Sequence, residues 1–140
     1  MDKKRKSNGN KLIEIAKRNL SEMRAMFESR HYYGTVNRAY YAMFQAVSAL
    51  LLLDGLRFKK HMSLISAFGR HYAKTDVVPR EYHQLLSKAY ETRNKADYDV
   101  DMVIDHELAG LYCQKAEEFV AFIEQEMLKK TSQPEGQAGV

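Results

Sequence analysis

The sequence predicts an all-α fold, an antiparallel bundle of four long helices plus one short helix. Apolar residues recur at three- and four-residue steps along most of the 140-residue chain, which is the period of an amphipathic helix. No sustained alternation of apolar and polar residues indicates a β-strand. The segments between the helical patterns are short, which favours antiparallel packing of consecutive helices.

The apolar pattern places the five helices at residues 11–28, 32–53, 60–71, 79–96 and 105–129. Gly55 is expected to cap the second helix, because glycine readily adopts the left-handed conformation found there. Pro79 is expected in the first turn of the fourth helix, a favoured position for proline. The polar residues 1–10 and 131–140 are predicted to be disordered tails, which leaves residues 11–130 as one helical domain.

Charge and cysteine content limit the class of protein. The formal net charge is +4, and the basic excess lies within residues 1–30, which predicts a solvated tail and first helix in preference to a nucleic-acid-binding arm. The single cysteine, Cys113, excludes an intrachain disulfide and is predicted to be a buried, inert thiol. No apolar run approaches the roughly 20 residues of a membrane span, and no secretory signal is present. We therefore expect a cytoplasmic protein without a membrane partner.

The histidines do not indicate a metal site. His61, His71, His83 and His106 lack the paired spacing of metal ligands, and each is interpreted as a solvated or helix-terminal side chain. No glycine-rich phosphate-binding loop occurs either. The sequence predicts neither a metal nor a cofactor.

Two polar side chains interrupt apolar helix faces. Arg93 falls on the stripe of the fourth helix, and Asn37 falls on the stripe of the second. A buried guanidinium or amide without partners costs several kcal/mol, so each residue needs one. They could satisfy each other or helix-end carbonyls inside the bundle. Alternatively, they could line a cleft for a phosphate-bearing ligand, which the planar guanidinium suits. The residue pattern alone leaves both interpretations open.

Three segments resemble the HEPN family (higher eukaryotes and prokaryotes nucleotide-binding domain). They are "YYGTVNRAYYAMFQAVSALLL", "HMSLISAFGRHY" and "SKAYETRNKADYD", and the resemblance covers about residues 11–128. Within this family, the chain resembles the subgroup of small stand-alone prokaryotic HEPN proteins. The resemblance implies an all-α bundle that dimerises. It also implies a toxin–antitoxin pair with a minimal nucleotidyltransferase, and in many members a metal-independent endoribonuclease.

The resemblance also implies roles for individual residues. Arg93 corresponds to the motif arginine and Asn37 to the polar residue of the second helix. Arg38 is assigned with them to RNA or nucleotide binding, and Asp97 and Tyr98 join Arg93 as catalytic candidates. The motif histidine, however, is absent, because its three allowed positions hold Tyr98, Asp99 and Val100. A tyrosine, with an ordinary pKa near 10, is a poor general base at pH 7.

The sequence is therefore compatible with two functions. One is a HEPN toxin that binds RNA or nucleotide in a homodimer cleft, with or without endoribonuclease activity. The other is a non-catalytic subunit that binds substrate or nucleotide and partners a cognate minimal nucleotidyltransferase. The missing histidine favours the second for chemistry, whereas the resemblance favours the first for biological role.

Overall fold

The computed structural model describes residues 2–132, which contain five helices and no β-strand. The helices are α1 (Lys3–Glu28), α2 (Tyr32–Leu53), α3 (His61–Phe68), α4 (Arg80–Tyr98) and α5 (His106–Thr131). One wide turn of π-helix over Gly69–Ala73 prolongs α3. The predicted all-α bundle of four long helices and one short helix is confirmed.

The first and last helices, α1 and α5, run antiparallel. Two cross-helix ion pairs show this, since Lys17 pairs with Glu124 and Arg24 pairs with Glu117. As the numbering rises along α1 it falls along α5, so these two helices point in opposite directions. α2 contacts α1, α3, α4 and α5, which makes it the central element of the bundle.

The core is built around α2. The buried, inward-facing side chains of this helix include the following six: Val36, Tyr40, Met43, Val47, Leu50 and Leu51. Burying one such aliphatic side chain stabilises the fold by roughly 1.5–3 kcal/mol, before the cost of ordering the chain. Cys113 of α5 is also buried, as predicted, and burial raises the pKa of its thiol.

The first helix is longer than the sequence pattern indicates. The disordered tail predicted over residues 1–10 is wrong for residues 3–10, because α1 begins at Lys3 rather than at Lys11. The Asp2 carboxylate caps the helix by accepting a hydrogen bond of 2.8 Å from the Lys4 amide. Gly9 is buried where α1 meets the rest of the bundle, and a Cβ there would lie 3.0 Å from Leu53 Cδ2. Packing at this glycine therefore orders a segment whose composition alone suggests disorder.

The other helix limits agree closely with the prediction. Gly55 ends α2 with a φ of 79°, the left-handed conformation expected of a capping glycine. The amides of Gly55 and Leu56 donate to the carbonyls of Leu52 and Leu51, which satisfies the last turn of α2. The fourth helix begins at Arg80, directly after Pro79. The predicted C-terminal tail lies outside the described residues from position 133 onward.

Candidate functional site

Arg93 and Asn37, the two polar residues on apolar stripes, meet where α4 packs against α2. Arg93 Nε donates a hydrogen bond of 3.1 Å to Asn37 Oδ1, and Arg93 Nη1 donates one of 3.3 Å to Asn94 Oδ1. The guanidinium carbon lies 5.1 Å from the ring centroid of Tyr41 and 5.7 Å from that of Tyr40. The arginine side chain is half-buried. The structure thus brings the two predicted residues into direct contact.

The register of α4 is what turns Arg93 toward α2. The preceding residue, Thr92, is buried against α5, where its hydroxyl lies 2.9 Å from the hydroxyl of Tyr112. Three residues before Arg93, the ring of Tyr90 packs against Tyr40 of α2 with centroids 5.6 Å apart. With one side of α4 held by α5 and the adjacent side held by α2, the guanidinium is positioned at the α2–α4 junction.

The Arg93 charge is not neutralised by another protein group. Within residues 2–132, no carboxylate oxygen lies within 4.0 Å of its guanidinium nitrogens. Its partners are two neutral amides and two aromatic faces, and a cation over such a face gains about 0.5–2 kcal/mol. These contacts hold the side chain in place while leaving its positive charge free to act on an anion. A planar guanidinium so placed is well suited to a phosphate.

A histidine that the sequence spacing did not indicate, His61, lies against the same two tyrosines as Arg93. Arg93, Asn37, Tyr40, Tyr41 and His61 are called the Arg93 cluster below. His61, the first residue of α3, has its Nδ1 2.5 Å from the hydroxyl of Tyr40. Its ring stacks on Phe44 with centroids 4.5 Å apart and on Tyr90 with centroids 5.6 Å apart. His61 is helix-terminal, as predicted, but it is not simply solvated, because its ring packs among these aromatic side chains. The aromatic residues at four-residue spacing, Tyr40 and Phe44, are the sequence feature that could have indicated a partner ring here.

The electrostatics of the cluster keep His61 neutral and Tyr40 protonated. Burial lowers the pKa of His61, and the nearby positive charge of Arg93 lowers it further. Burial raises the pKa of Tyr40 well above its usual value, although the Arg93 charge opposes this. At neutral pH the site therefore combines the Arg93 cation with a neutral imidazole at His61 and a protonated phenol at Tyr40.

Arg38, the third predicted binding residue, is not part of this cluster. It faces α1, where its Nη1 lies 3.2 Å from Asn19 Oδ1 and 3.3 Å from Glu22 Oε2. The two consecutive residues Asn37 and Arg38 point to different neighbours because they are about 100° apart around α2. The charge of Arg38 is paired with a carboxylate, whereas that of Arg93 is not.

Asp97 and Tyr98 lie at the exposed end of α4. Both side chains are exposed, Tyr98 by 86%, and neither makes a side-chain hydrogen bond to Arg93 among residues 2–132. The Tyr98 hydroxyl is therefore accessible from solvent and not directed at the guanidinium. The structure separates these two catalytic candidates from the arginine, and their predicted roles stay predictions.

No group of three or more His, Cys, Asp or Glu side chains in residues 2–132 is arranged to hold a metal ion. No helix in this part of the chain has the length and apolar character needed to cross a membrane.

Comparison with known proteins gives the family. The family model described as "HEPN domain" matches residues 10–126. The chain belongs to the HEPN family. The match extends from within α1 to within α5, so it includes Arg93, Asn37 and His61. The resemblance stated from the three sequence segments is confirmed.

Individual relatives are identical to this chain at a third or more of the aligned positions. One from Methanocaldococcus jannaschii, named "Putative toxin", is 39% identical over 109 residues, which are 78% of this chain and 81% of the relative. A UPF0332 protein from Thermotoga maritima is 35% identical over 118 residues, 81% of this chain and 89% of the relative. A second M. jannaschii protein named "Putative toxin" is 34% identical over 110 residues, 79% of this chain and 75% of the relative.

Proposed function

We infer that this HEPN protein is the toxin component of a toxin–antitoxin pair and binds RNA through the Arg93 cluster. The observation that carries the proposal is the half-buried guanidinium of Arg93, which has no carboxylate partner in residues 2–132. Leaving such a charge unpaired is costly in the free protein. A phosphodiester at the site would offset that cost and accept two parallel hydrogen bonds. The names of two relatives support the toxin role.

The neighbouring surface offers space for a nucleotide chain. Phe44, which stacks on His61, also lines a pocket of about 590 Å³ between α1, α2 and the segment before α3. Lys11, Arg57 and Lys59 lie around the same pocket. Aromatic rings beside cations are the usual means of binding single-stranded nucleic acid, because the rings stack on bases and the cations contact phosphates.

A homodimer completes the proposed site. The half-buried Arg93 and Asn37 lie at the outer surface of the α2–α4 junction, and a second copy of this surface would form a cleft with two guanidinium groups. Polar groups of this kind are better tolerated at a hydrated interface than in a dry core. The predicted cytoplasmic location stays a prediction.

Binding of labelled RNA tests this proposal. The fluorescence anisotropy of a 5′-fluorescein single-stranded RNA should rise with wild-type protein, and Arg93→Ala should abolish most of the rise. Arg24→Ala is the matched control, because that half-exposed arginine on α1 is already paired with Glu117. Arg93→Ala should also reduce the salt dependence of log K by about one phosphate contact. Equal binding by wild-type and Arg93→Ala proteins would contradict the proposal.

The second function, a non-catalytic binding subunit of a minimal nucleotidyltransferase, is favoured by one separate observation. Tyr98 is 86% exposed at the end of α4, so a partner enzyme could reach its hydroxyl without unfolding the helix. This role requires neither RNA cleavage nor a motif histidine. RNA cleavage by the purified chain separates the two functions, since only the toxin with nuclease activity would show it.

A further inference from the structure

His61 is the one histidine that shares aromatic neighbours with Arg93. Both side chains contact Tyr40 and Tyr41: the guanidinium carbon of Arg93 is 5.7 Å and 5.1 Å from these rings. The His61 ring centroid is 5.6 Å and 6.0 Å from the same two rings. The imidazole and the guanidinium thus lie around the same pair of tyrosines, although α3 and α4 supply them separately.

We propose that His61 is the general base of this HEPN site and replaces the histidine that the motif after Arg93 lacks. This inference rests on the proposed RNA-binding function, and it names the group that moves the proton. The 2′-hydroxyl of the bound ribose gives its proton to His61 Nε2, and the 2′-oxygen attacks the adjacent phosphorus. The bond from phosphorus to the 5′-oxygen breaks, and the 5′-oxygen takes a proton from water. The products are a 2′,3′-cyclic phosphate and a 5′-hydroxyl, while the imidazolium returns its proton to the hydroxide left by that water.

The hydrogen bond to Tyr40 orients the imidazole for this role. Nδ1 is engaged with the Tyr40 hydroxyl at 2.5 Å, and Nε2 has no hydrogen-bond partner within residues 2–132. When Nδ1 carries the proton and donates it to the Tyr40 oxygen, the lone pair of Nε2 is free to accept a proton. Tyr40 is fully buried, so it fixes the ring from the protein side. Because burial and the Arg93 charge lower the pKa of His61, the imidazole is neutral at pH 7, as a base must be.

His61 also lies between two surface depressions that an RNA strand could follow. Phe44, stacked on His61, lines the pocket of about 590 Å³, and Lys59 lies at its edge. On the other side, Tyr90 and Met62 line a pocket of about 300 Å³ along α4. Tyr90 also stacks on His61. A strand that occupied both pockets would pass over the imidazole and near Arg93.

Cleavage and binding are measured separately on the purified full-length chain. The probe is a 5′-fluorescein single-stranded RNA, and its all-deoxy counterpart is the control that lacks the attacking hydroxyl. Wild-type protein should cleave the RNA to products ending in a 2′,3′-cyclic phosphate, identified by mass spectrometry. His61→Ala should bind the RNA as wild type does but cleave it at least about 100-fold more slowly, the usual contribution of a general base. Added imidazole should restore part of that activity.

His106 provides the matched control variant. Its Nδ1 lies 2.9 Å from the Tyr32 hydroxyl and its ring stacks on Phe27 at 4.7 Å, so like His61 it pairs with a tyrosine hydroxyl and stacks on a phenylalanine, but away from Arg93. His106→Ala should therefore cleave RNA at the wild-type rate. His61→Asn, which keeps a hydrogen-bonding group toward Tyr40 without a titrating ring, serves where His61→Ala does not fold.

The outcomes distinguish this inference from the proposed function. Cleavage by His61→Ala or His61→Asn within about threefold of wild type would overturn the role of His61. RNA binding without cleavage by the wild-type protein would also overturn it, while leaving Arg93-dependent binding intact. An absence of RNA binding by the wild-type protein would refute the proposed function itself, and the inference with it.

Discussion

Arg93 Nε donates a hydrogen bond of 3.1 Å to Asn37 Oδ1, which joins the C-terminal third of α4 to the first half of α2. The acceptor is a neutral amide where a carboxylate would have been the stronger partner. An amide positions the guanidinium without cancelling its charge, whereas a carboxylate would form an ion pair and reduce the attraction for a second anion. The choice of asparagine therefore fits a site that binds phosphate better than a site that only stabilises the fold.

Asn37→Asp should separate binding from stability. The substitution keeps the size of the side chain and its hydrogen bond to Arg93, and it adds an ion pair at a half-buried position. The melting temperature should stay equal or rise, while the affinity for single-stranded RNA should fall at least about tenfold. Anisotropy titrations and thermal unfolding monitored by circular dichroism measure the two quantities. Unchanged affinity would show that the guanidinium does not meet phosphate.

Arg93→Ala should change stability only modestly, by about 1–2 kcal/mol, because the lost contacts are one amide hydrogen bond and two cation–π contacts. Urea denaturation of the two proteins gives the difference in unfolding free energy. A loss of roughly 3 kcal/mol or more would instead indicate a structural charge whose removal leaves buried partners unpaired.

The protein should be a homodimer at micromolar concentration. Multi-angle light scattering should give twice the 16.2 kDa mass of the chain. The physical reason is that Arg93 and Asn37 leave polar groups half-buried at the surface, with exposed apolar side chains such as Met62 nearby. Met62→Lys should shift the mass toward that of the monomer if α3 lies at the interface. A wild-type mass of a single chain would contradict the dimer and the shared cleft.

The spacing of apolar residues was sufficient to predict most of the helices, because that spacing is a local property of the sequence. The bounds of α2 and the burial of its six inward-facing residues follow from the three- and four-residue recurrence of apolar side chains. The start of α1 does not, because a buried glycine packing against Leu53 is a tertiary contact between residues far apart in the chain. The polar composition of residues 3–10 indicates disorder, and only the packing of this segment against α2 shows that it is helical.

The candidate site was predictable only in part, because its residues come from helices that are far apart in the sequence. The two polar interruptions of apolar stripes indicated that Arg93 and Asn37 could satisfy each other, and the two side chains are hydrogen-bonded. His61 could not be found by motif spacing, since it reaches the cluster from the start of α3, on another element. Arg38 was predicted to bind RNA or nucleotide together with Asn37, but it contacts Asn19 of α1, because successive residues of a helix face different neighbours.

The pKa of His61 should be lower than that of a histidine in an unfolded chain and should depend on Arg93. The groups that face the imidazole are Tyr40 and Tyr41 from α2 and Tyr90 and Arg93 from α4. Arg93→Ala should raise the pKa of His61, because burial would then be the main remaining cause of the depression. Two-dimensional NMR of the imidazole protons across pH 4–8 measures it. Identical titration in both proteins would show that the guanidinium is too distant to act.

The lowered pKa of His61 also makes the stability of the protein depend on pH. A histidine whose pKa is lowered in the folded state binds fewer protons than in the unfolded chain. Protonation of His61 is therefore easier in the unfolded chain, where the pKa of histidine is about 6.5. As the pH falls through this value toward the folded-state pKa, the unfolding free energy decreases. His61→Asn should make the unfolding free energy less sensitive to pH in this window, and denaturation at several pH values measures the difference. A pH dependence as steep as that of wild type would assign the effect to other groups.

Tyr98 should be the tyrosine that a partner nucleotidyltransferase modifies. It is 86% exposed, whereas Tyr40 and Tyr112 are buried and the Tyr33 hydroxyl already donates to the Met102 carbonyl at 2.5 Å. An accessible phenol can approach the activated phosphate of a bound nucleotide, with pyrophosphate as the leaving group and the phenolic proton passing to a base of the partner enzyme. The measurement is intact-mass and peptide mass spectrometry after co-expression with a minimal nucleotidyltransferase. A nucleotide adduct on the Tyr98 peptide is expected, and Tyr98→Phe should remove it while Tyr33→Phe should not. An unmodified Tyr98 under these conditions would leave the hydroxyl without a role in the pair.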